Sequence, residues 1–217
     1  AEGGKPVVLA AYPAPFHTDA PERALVGQCI TSFAIALAGA TQLFLGERDA
    51  VTTQGYYADY SALTPWQAER IKAYQDFFVR YQELLFDRSL MDVSMTHFGW
   101  DNQGYKSDAP SSVEGEADTV WLIFRENAAR RVVGLINLHG VGDDFWNTGK
   151  EQPAPQMNIT LRVLLLRPVQ TAWYATPDDG LGGAVPLACE CKATPLGVEA
   201  AITIPRLDIC GLLWLDV

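Results

Sequence analysis

Positive charge is scarce in this sequence: 16 Lys and Arg stand against 26 Asp and Glu in 217 residues, a formal net charge of −10. Binding to a polyanion by counterion release needs a basic face. The deficit therefore argues against nucleic acid and anionic membranes as partners and leaves neutral polysaccharides and small polar ligands compatible. Long apolar runs are also missing. The longest, around residues 30–39, is interrupted by Thr31 and Ser32, so no transmembrane span is expected. The N-terminus lacks a basic region followed by an apolar stretch, so no signal peptide is expected there either. Cysteine is limited to Cys29, Cys189, Cys191 and Cys210. Cys29 falls in an apolar helix and Cys210 in the last apolar strand, where a free thiol is usually a small core residue. Cys189 and Cys191 share a strand face and could reach one metal, but a C-x-C pair without a second pair is a weak zinc signal. Four structural thiols, no metal and no cofactor are the expectation. The chain has no Ser–His–Asp order, no Gly-rich phosphate loop and no HExxH. His97 and His139 have no partner at metal-ligand spacing.

Hydrophobic residues make up 48% of the chain, a globular rather than disordered composition. Residues 6–12 (PVVLAAY) read as a short strand apolar on both faces, and 19–39 as a helix apolar on nearly every side. Asp19, Pro21 and Glu22 mark its start with a cap, a first-turn proline and a following carboxylate. Residues 41–46 (TQLFLG) read as a second buried strand. A long amphipathic helix follows over 65–87, opened by the capping box Thr64-Pro65-Trp66-Gln67 and striped by Trp66, Ile71, Tyr74, Phe77, Phe78, Tyr81, Leu84 and Leu85. Buried strands alternating with helices predict a parallel sheet covered on both sides. A closed (β/α)8 barrel needs ~250 residues, whereas here the pattern stops after two units.

Beyond Asp87 the period becomes that of strands, with candidates at 90–98, 119–125, 132–138, 158–166, 170–175, 185–191, 198–204 and 210–217, separated by Gly, Pro, Asn and Asp clusters. Eight short strands at this spacing predict an antiparallel sandwich. Residues 100–117, polar and Gly/Ser-rich, read as a surface loop. The fold class expected is α/β plus all-β: the last two βα units of a (β/α)8 barrel over residues 1–88, then an antiparallel β-sandwich over 89–217. The outer faces of the 19–39 helix and both strands would lie uncovered unless the missing barrel part docks on them.

Functional groups of such a barrel sit at the C-terminal ends of its strands and in the loops that follow. That rule selects Tyr12 and His17 after the first strand, and Glu47, Asp49, Tyr56, Tyr57 and Tyr60 in the long loop 47–63 after the second. Aromatic rings stack on sugar faces and carboxylates accept hydroxyl hydrogen bonds, so the mixture suits a carbohydrate subsite. Asp143 and Asp144, beside Gly140 and Gly142, read as turn residues. No complete catalytic set is present.

The ordered segments resemble glycoside hydrolase family 66, the endo-dextranases and cycloisomaltooligosaccharide glucanotransferases. These segments are VVLAAY, then IALAGATQLFLGE, then a loop with Tyr56-Tyr57, then ERIKAYQDFFVRYQELLFD. Val120-Trp121, RENAARRVVGLINLHGVGDDFWN, Asp178 in TPDD and Ile204-Pro205-Arg206-Leu207 extend the resemblance across almost the whole chain. It implies retaining cleavage of α-1,6-glucan by an Asp nucleophile and a Glu acid/base, both on barrel strands upstream of anything here. The chain would supply part of the substrate cleft and the sandwich, and alone would be inactive. Its partners would be an α-1,6-glucan or oligosaccharide and the N-terminal remainder of the barrel, in a secreted or cell-surface setting. Gln42 and Phe44 stand where relatives tend to carry a polar His-x-Glu. The connections at 13–18 and 47–63 are too short for the carbohydrate-binding module that the glucanotransferases insert near the end of the barrel, which favours the dextranase branch. The alternatives are that cyclising branch and a non-catalytic carbohydrate-binding or scaffold fragment. An independent enzyme using Glu47 with Asp49 or Asp59 is a third.

Overall fold

The computed structural model describes residues 5–48, 50–55 and 60–217. The chain forms two compact units. The first holds the described part of Ala1–Arg88 together with Gly140–Gln152 and Pro177–Gly182; the second holds Ser89–His139, Pro153–Thr176 and Gly183–Val217.

In the first unit β1 (Val7–Leu9) leads through a short helix, α1 (Pro15–Thr18), into α2 (Pro21–Leu37) and β2 (Ala40–Gln42). β1 and β2 pair in parallel, Val7 opposite Ala40 and Leu9 opposite Gln42. Asp19 does not cap α2: the N-cap is Ala20, and the Asp19 carboxylate instead accepts a hydrogen bond from the Gly149 N–H at 2.9 Å. The long loop expected after β2 is built. Leu45 bridges Val51, and β3 (Ala50–Thr52) pairs antiparallel with β4 (Tyr60–Ala62), giving a small flap around the fully buried Val51. α3 (Pro65–Arg80) then starts at the predicted capping box, Thr64 and Gln67 bonding reciprocally. It ends near Tyr81, and a single turn, α4 (Gln82–Leu85), completes the predicted helical stretch.

The core of this unit is aromatic. Phe33 of α2 meets Tyr74, Phe77 and Phe78 of α3 with ring centroids 6.4, 6.0 and 6.1 Å apart. Tyr74 lies edge-on to Phe78 and Phe77 approaches Tyr81 at 4.6 Å. Such pairs contribute about 0.5–1.5 kcal/mol each beyond the area they bury.

The expectation that α2 would lack cover is corrected. Segment 140–152 runs along it: the Lys150 N–H donates to the Arg23 carbonyl at 2.9 Å, Arg23 bonds the Gly149 carbonyl at 2.9 Å and pairs with Glu151, and Thr31 donates to the Trp146 carbonyl at 3.2 Å. Gly27 permits this approach, because a Cβ there would stand 2.7 Å from the Thr148 carbonyl oxygen. The segment is itself braced by Lys150, whose buried ammonium donates to the Asp143 carboxylate, the Asp143 carbonyl at 3.1 Å and the Thr148 hydroxyl at 2.7 Å. All three of its protons are thereby satisfied, which a buried ammonium requires. Asp143 is thus the anchor of this loop rather than a plain turn residue. What stays uncovered is the strand side: Val7, Val8 and Leu9 are 53, 61 and 42% exposed.

The second unit begins with β5 (Met91–Asp92), a one-turn helix α5 (Ser94–His97), β6 (Tyr105–Ser107), β7 (Ser111–Ser112), β8 (Val120–Glu126) and β9 (Arg130–Asn137). It continues with β10 (Gln156–Leu165), β11 (Thr171–Ala175), β12 (Val185–Pro186), β13 (Cys189–Thr194), β14 (Gly197–Leu207) and β15 (Cys210–Asp216). One sheet has the order β13-β14-β10-β6; the other runs β12-β11-β15-β9-β8-β5, with β7 beside β8. Inward side chains of both, among them Leu122, Phe124, Leu135, Leu161, Ile202, Ile204 and Leu213, form one buried cluster, so this part is a sandwich.

Three strand expectations are corrected. Residues 90–98 break after Asp92, because its carboxylate accepts from the Ser94 N–H at 2.9 Å and starts a helical turn. Segment 185–191 changes sheets after Pro186, whose missing N–H ends one ladder before Cys189 opens the next. The supposed loop 100–117 contributes β6 and β7, where Tyr105 is buried, stacked 4.1 Å from Phe124 and bonded to Glu126 at 2.9 Å.

Candidate functional site

The strand ends of the first unit are tied together by amides. Gln42, the last residue of β2, donates to the Ala11 carbonyl at 2.7 Å, and its Oε1 accepts from Gln28 Nε2 at 2.8 Å and Ser32 Oγ at 2.7 Å. Gln42 therefore holds the chain beyond β1 to β2 and both to α2. Phe44, two residues on, is in the core. Both positions that depart from the family pattern do structural work here.

Tyr12 is half-buried, with its ring laid on Gly55 in the flap: a Cβ at Gly55 would fall 2.7 Å from Tyr12 Cε2. The residues after β1 and the loop after β2 are thus in direct contact, as a shared subsite requires. His17 and Glu47 are exposed. Glu47 sits at the flap's first turn, its carbonyl accepting from the Ala50 N–H at 3.2 Å, and His17 lies in α1. Asp49, Tyr56 and Tyr57, as well as Asp59, lie outside the described residues. The remaining described tyrosine of the flap, Tyr60, is exposed on β4.

Sequence reasoning missed one group. Phe145 and Trp146, in the segment along α2, are 67 and 62% exposed. A shallow crevice lined by Ala11, Pro13, Gln28, Gln42 and Trp146 joins the two strand ends to this aromatic pair. Its volume, about 10 Å³, is room for roughly one water, so it is a seam and not a ligand pocket. The aromatic pair Phe145-Trp146, following two acidic residues in a Gly-flanked stretch, is the signal that could have marked it. A larger cleft of about 190 Å³ opens between α2, β2 and α3, lined by Ser32, Gln42, Gln75, Phe78 and Gln82 among others; none of the predicted sugar-contacting residues lines it.

The electrostatics identify no acid/base pair. Burial pushes the Cys29 thiol up, with the Asp178 charge adding to it, and burial raises the Tyr81 phenol. Both groups belong to the core. The Lys150 hydrogen bond holds the Asp143 carboxyl below its usual range, which fits its anchoring role. Among the described residues no cluster of three His, Cys, Asp or Glu side chains could hold a metal ion. His97 lies 3.9 Å from Glu126 on the sandwich. What the described residues present here is exposed aromatic and polar surface.

The family model of glycosyl hydrolase family 66 matches residues 1–212. The chain belongs to glycosyl hydrolase family 66. Two curated cycloisomaltooligosaccharide glucanotransferases of Niallia circulans are 24 and 26% identical to it over 184 residues, 83% of the chain in each case. The chain spans only 19 and 18% of their lengths. A solved Paenibacillus sp. cycloisomaltooligosaccharide glucanotransferase, complexed with cycloisomaltoheptaose, superposes with a TM-score of 0.74 at 23% identity, over 87% of this chain and 27% of that one. The mixed fold described above, mostly β with few helices, is the fold of that region of the family 66 enzyme.

Proposed function

We propose that this chain is the C-terminal portion of a retaining, endo-acting α-1,6-glucan hydrolase of family 66. In this reading the first unit supplies the last two βα units of a (β/α)8 barrel and part of the substrate cleft, and the second unit supplies the sandwich. The catalytic Asp and Glu belong to the N-terminal remainder of the barrel. The observation that carries the reading is β1: two parallel strands backed by helices, with Val7, Val8 and Leu9 exposed. A parallel sheet is otherwise covered on both faces, and an apolar strand left bare calls for a neighbour. The coverage of less than a fifth of each curated relative supports the same reading. Tyr12 packed on the flap, Glu47 at its turn, His17 after β1, and Asp49, Tyr56 and Tyr57 then contact glucan hydroxyls and ring faces, and Trp146 extends the aromatic surface at the seam.

A second reading, the cyclising branch, is favoured by the relatives themselves, which are glucanotransferases. Against it stand the connections at 13–18 and 47–63, which are too short in sequence to hold an inserted module. One experiment addresses both. The chain is assayed on dextran alone and after co-expression with the complementary N-terminal portion of its parent, with reducing ends and cyclic products measured separately. Activity only in the combined preparation, as linear oligosaccharides, is expected. Activity of the chain alone would overturn the division of labour, and cyclic products would select the transferase branch.

A further inference from the structure

Cys189 and Cys191 open β13, the edge strand of the four-stranded sheet. Their register partners on β14 are Ile202 and Ala200, and the alternation of a strand puts both thiols on the same face. Cys189 is half-buried and Cys191 exposed, neither is in a disulfide, and their sulfurs stand 3.7 Å apart.

That separation is informative. Two metal–thiolate bonds of about 2.3 Å opening at a tetrahedral angle span ~3.8 Å between sulfurs, so the pair already has the bite of a tetrahedral thiophilic ion. A disulfide fits less well. It requires the sulfurs to close to ~2.0 Å with Cα atoms usually ~4.4–6.8 Å apart, and residues two apart in an extended strand lie at the upper end of that window, ~6.4–6.8 Å. We propose that Cys189 and Cys191 form a bidentate binding site for a soft d10 cation of the Zn²⁺ class, with the outer coordination positions left open to solvent or to a ligand group.

The chemistry of the surroundings agrees. Binding displaces the two thiol protons: M²⁺ plus two thiols gives the bis-thiolate and two protons, with no change of oxidation state. Only a strongly thiophilic ion does this. No third His, Cys, Asp or Glu joins the pair among the described residues, so the site is exchangeable rather than structural. Beside Cys189 an open pocket of about 320 Å³, lined by Gln170, Thr171, Trp173, Pro186 and Leu187 among others, gives the remaining ligands room. Cys29 and Cys210, at 2 and 0% exposure, serve as internal controls that do not compete.

The test is a titration of the fully reduced protein with Co²⁺, read by the thiolate-to-cobalt charge-transfer band in the near ultraviolet, followed by displacement with Zn²⁺. One equivalent is expected, and Zn²⁺ should abolish the band. Cys189→Ser and Cys191→Ser, on the edge strand, should each weaken binding by roughly 10–100-fold or more, the scale on which even outer-shell ligand changes act, with an unchanged far-ultraviolet circular dichroism spectrum. Absence of a thiolate band in the folded protein, or a band that survives in the Cys189→Ser/Cys191→Ser double variant, would overturn the proposal. So would loss of two titratable thiols to a disulfide in air before any metal is added.

Discussion

Removing one hydroxyl, with Tyr74→Phe, tests how segment 177–182 is held to the first unit. The Tyr74 ring is buried in the aromatic core, and its hydroxyl donates to Asp178 Oδ1 at 2.6 Å. That carboxylate has a side-chain exposure of only 3%. Arg70 also reaches it, at 3.4 Å, and reaches the Asp178 carbonyl at 3.0 Å. A hydrogen bond to a charged group contributes about 1.5–3 kcal/mol, and phenylalanine keeps the packing, so the loss should fall in that range. With an m-value of about 2 kcal/mol per molar in urea, the midpoint drops by roughly 0.75–1.5 M. Asp178→Ala should cost more, about 2–4 kcal/mol: it removes the bonds to both Tyr74 and Arg70, while the partly exposed Arg70 regains water and softens the penalty of a broken pair. The double variant should then fall short of the sum, by about 1–2 kcal/mol of coupling. Urea unfolding of identical preparations, followed by fluorescence and circular dichroism, measures all three. A Tyr74→Phe midpoint within ~0.3 M of the parent, or strict additivity of the pair, would refute the claim that this bond anchors the segment.

Three further outcomes follow from the same geometry. Gly55→Ala puts a Cβ 2.7 Å from the Tyr12 ring; the ring must move, and in the complete enzyme KM for dextran should rise on the order of 10-fold with stability little changed, whereas an unaltered KM would remove Tyr12 from the subsite. Trp146→Ala deletes an exposed ring; if it stacks on sugar, isomaltooligosaccharide affinity measured by calorimetry should fall by about 1 kcal/mol, roughly fivefold, and unchanged affinity would leave Tyr12 and the flap to account for the aromatic contact. The Asp143 carboxyl is held low by Lys150, so its stabilisation is fully present above its unfolded pKa of ~3.9 and is lost as pH falls through the lower native value. Hydrogen exchange in residues 140–152 should therefore be flat with respect to this group at pH 5 to 7 after correction for intrinsic rates, and accelerate below ~4; Lys150→Met should remove that acid transition.

Periodicity carried the reading of the sandwich because each long strand alternates or stays apolar over enough residues to be unambiguous: β8, β9, β10, β14 and β15 lie where their patterns put them. The short elements were lost for a different reason. β6 and β7 are three and two residues long, and their pairing is decided by partners distant in sequence, β10 at 161–163 and β8 at 120–121. A polar, Gly/Ser-rich stretch carries no local mark of that. The flap was hidden in the same way, since Ala50–Thr52 and Tyr60–Ala62 are too brief to show a period.

The fate of α2 shows where local reasoning runs out. Its apolar residues surround the axis, which correctly says that several neighbours are needed and says nothing about which. Part of the answer lies more than a hundred residues away, in 140–152, a stretch whose glycines and carboxylates read as a solvated turn. Its fit depends on features that look incidental in isolation: a glycine at 27 where a Cβ would strike the Thr148 carbonyl, an Asp19 that bonds Gly149 instead of capping its own helix, and a lysine at 150 whose charge is neutralised within its own loop. With that side of α2 covered, the apolar residues of the first unit that stay exposed include Val7, Val8 and Leu9 of β1 and Leu43 and Leu45 after β2. Under the proposed function, the partner of the first unit would have to complete a parallel sheet rather than coat a helix, a requirement that a segment of barrel strand meets and a generic hydrophobic surface does not.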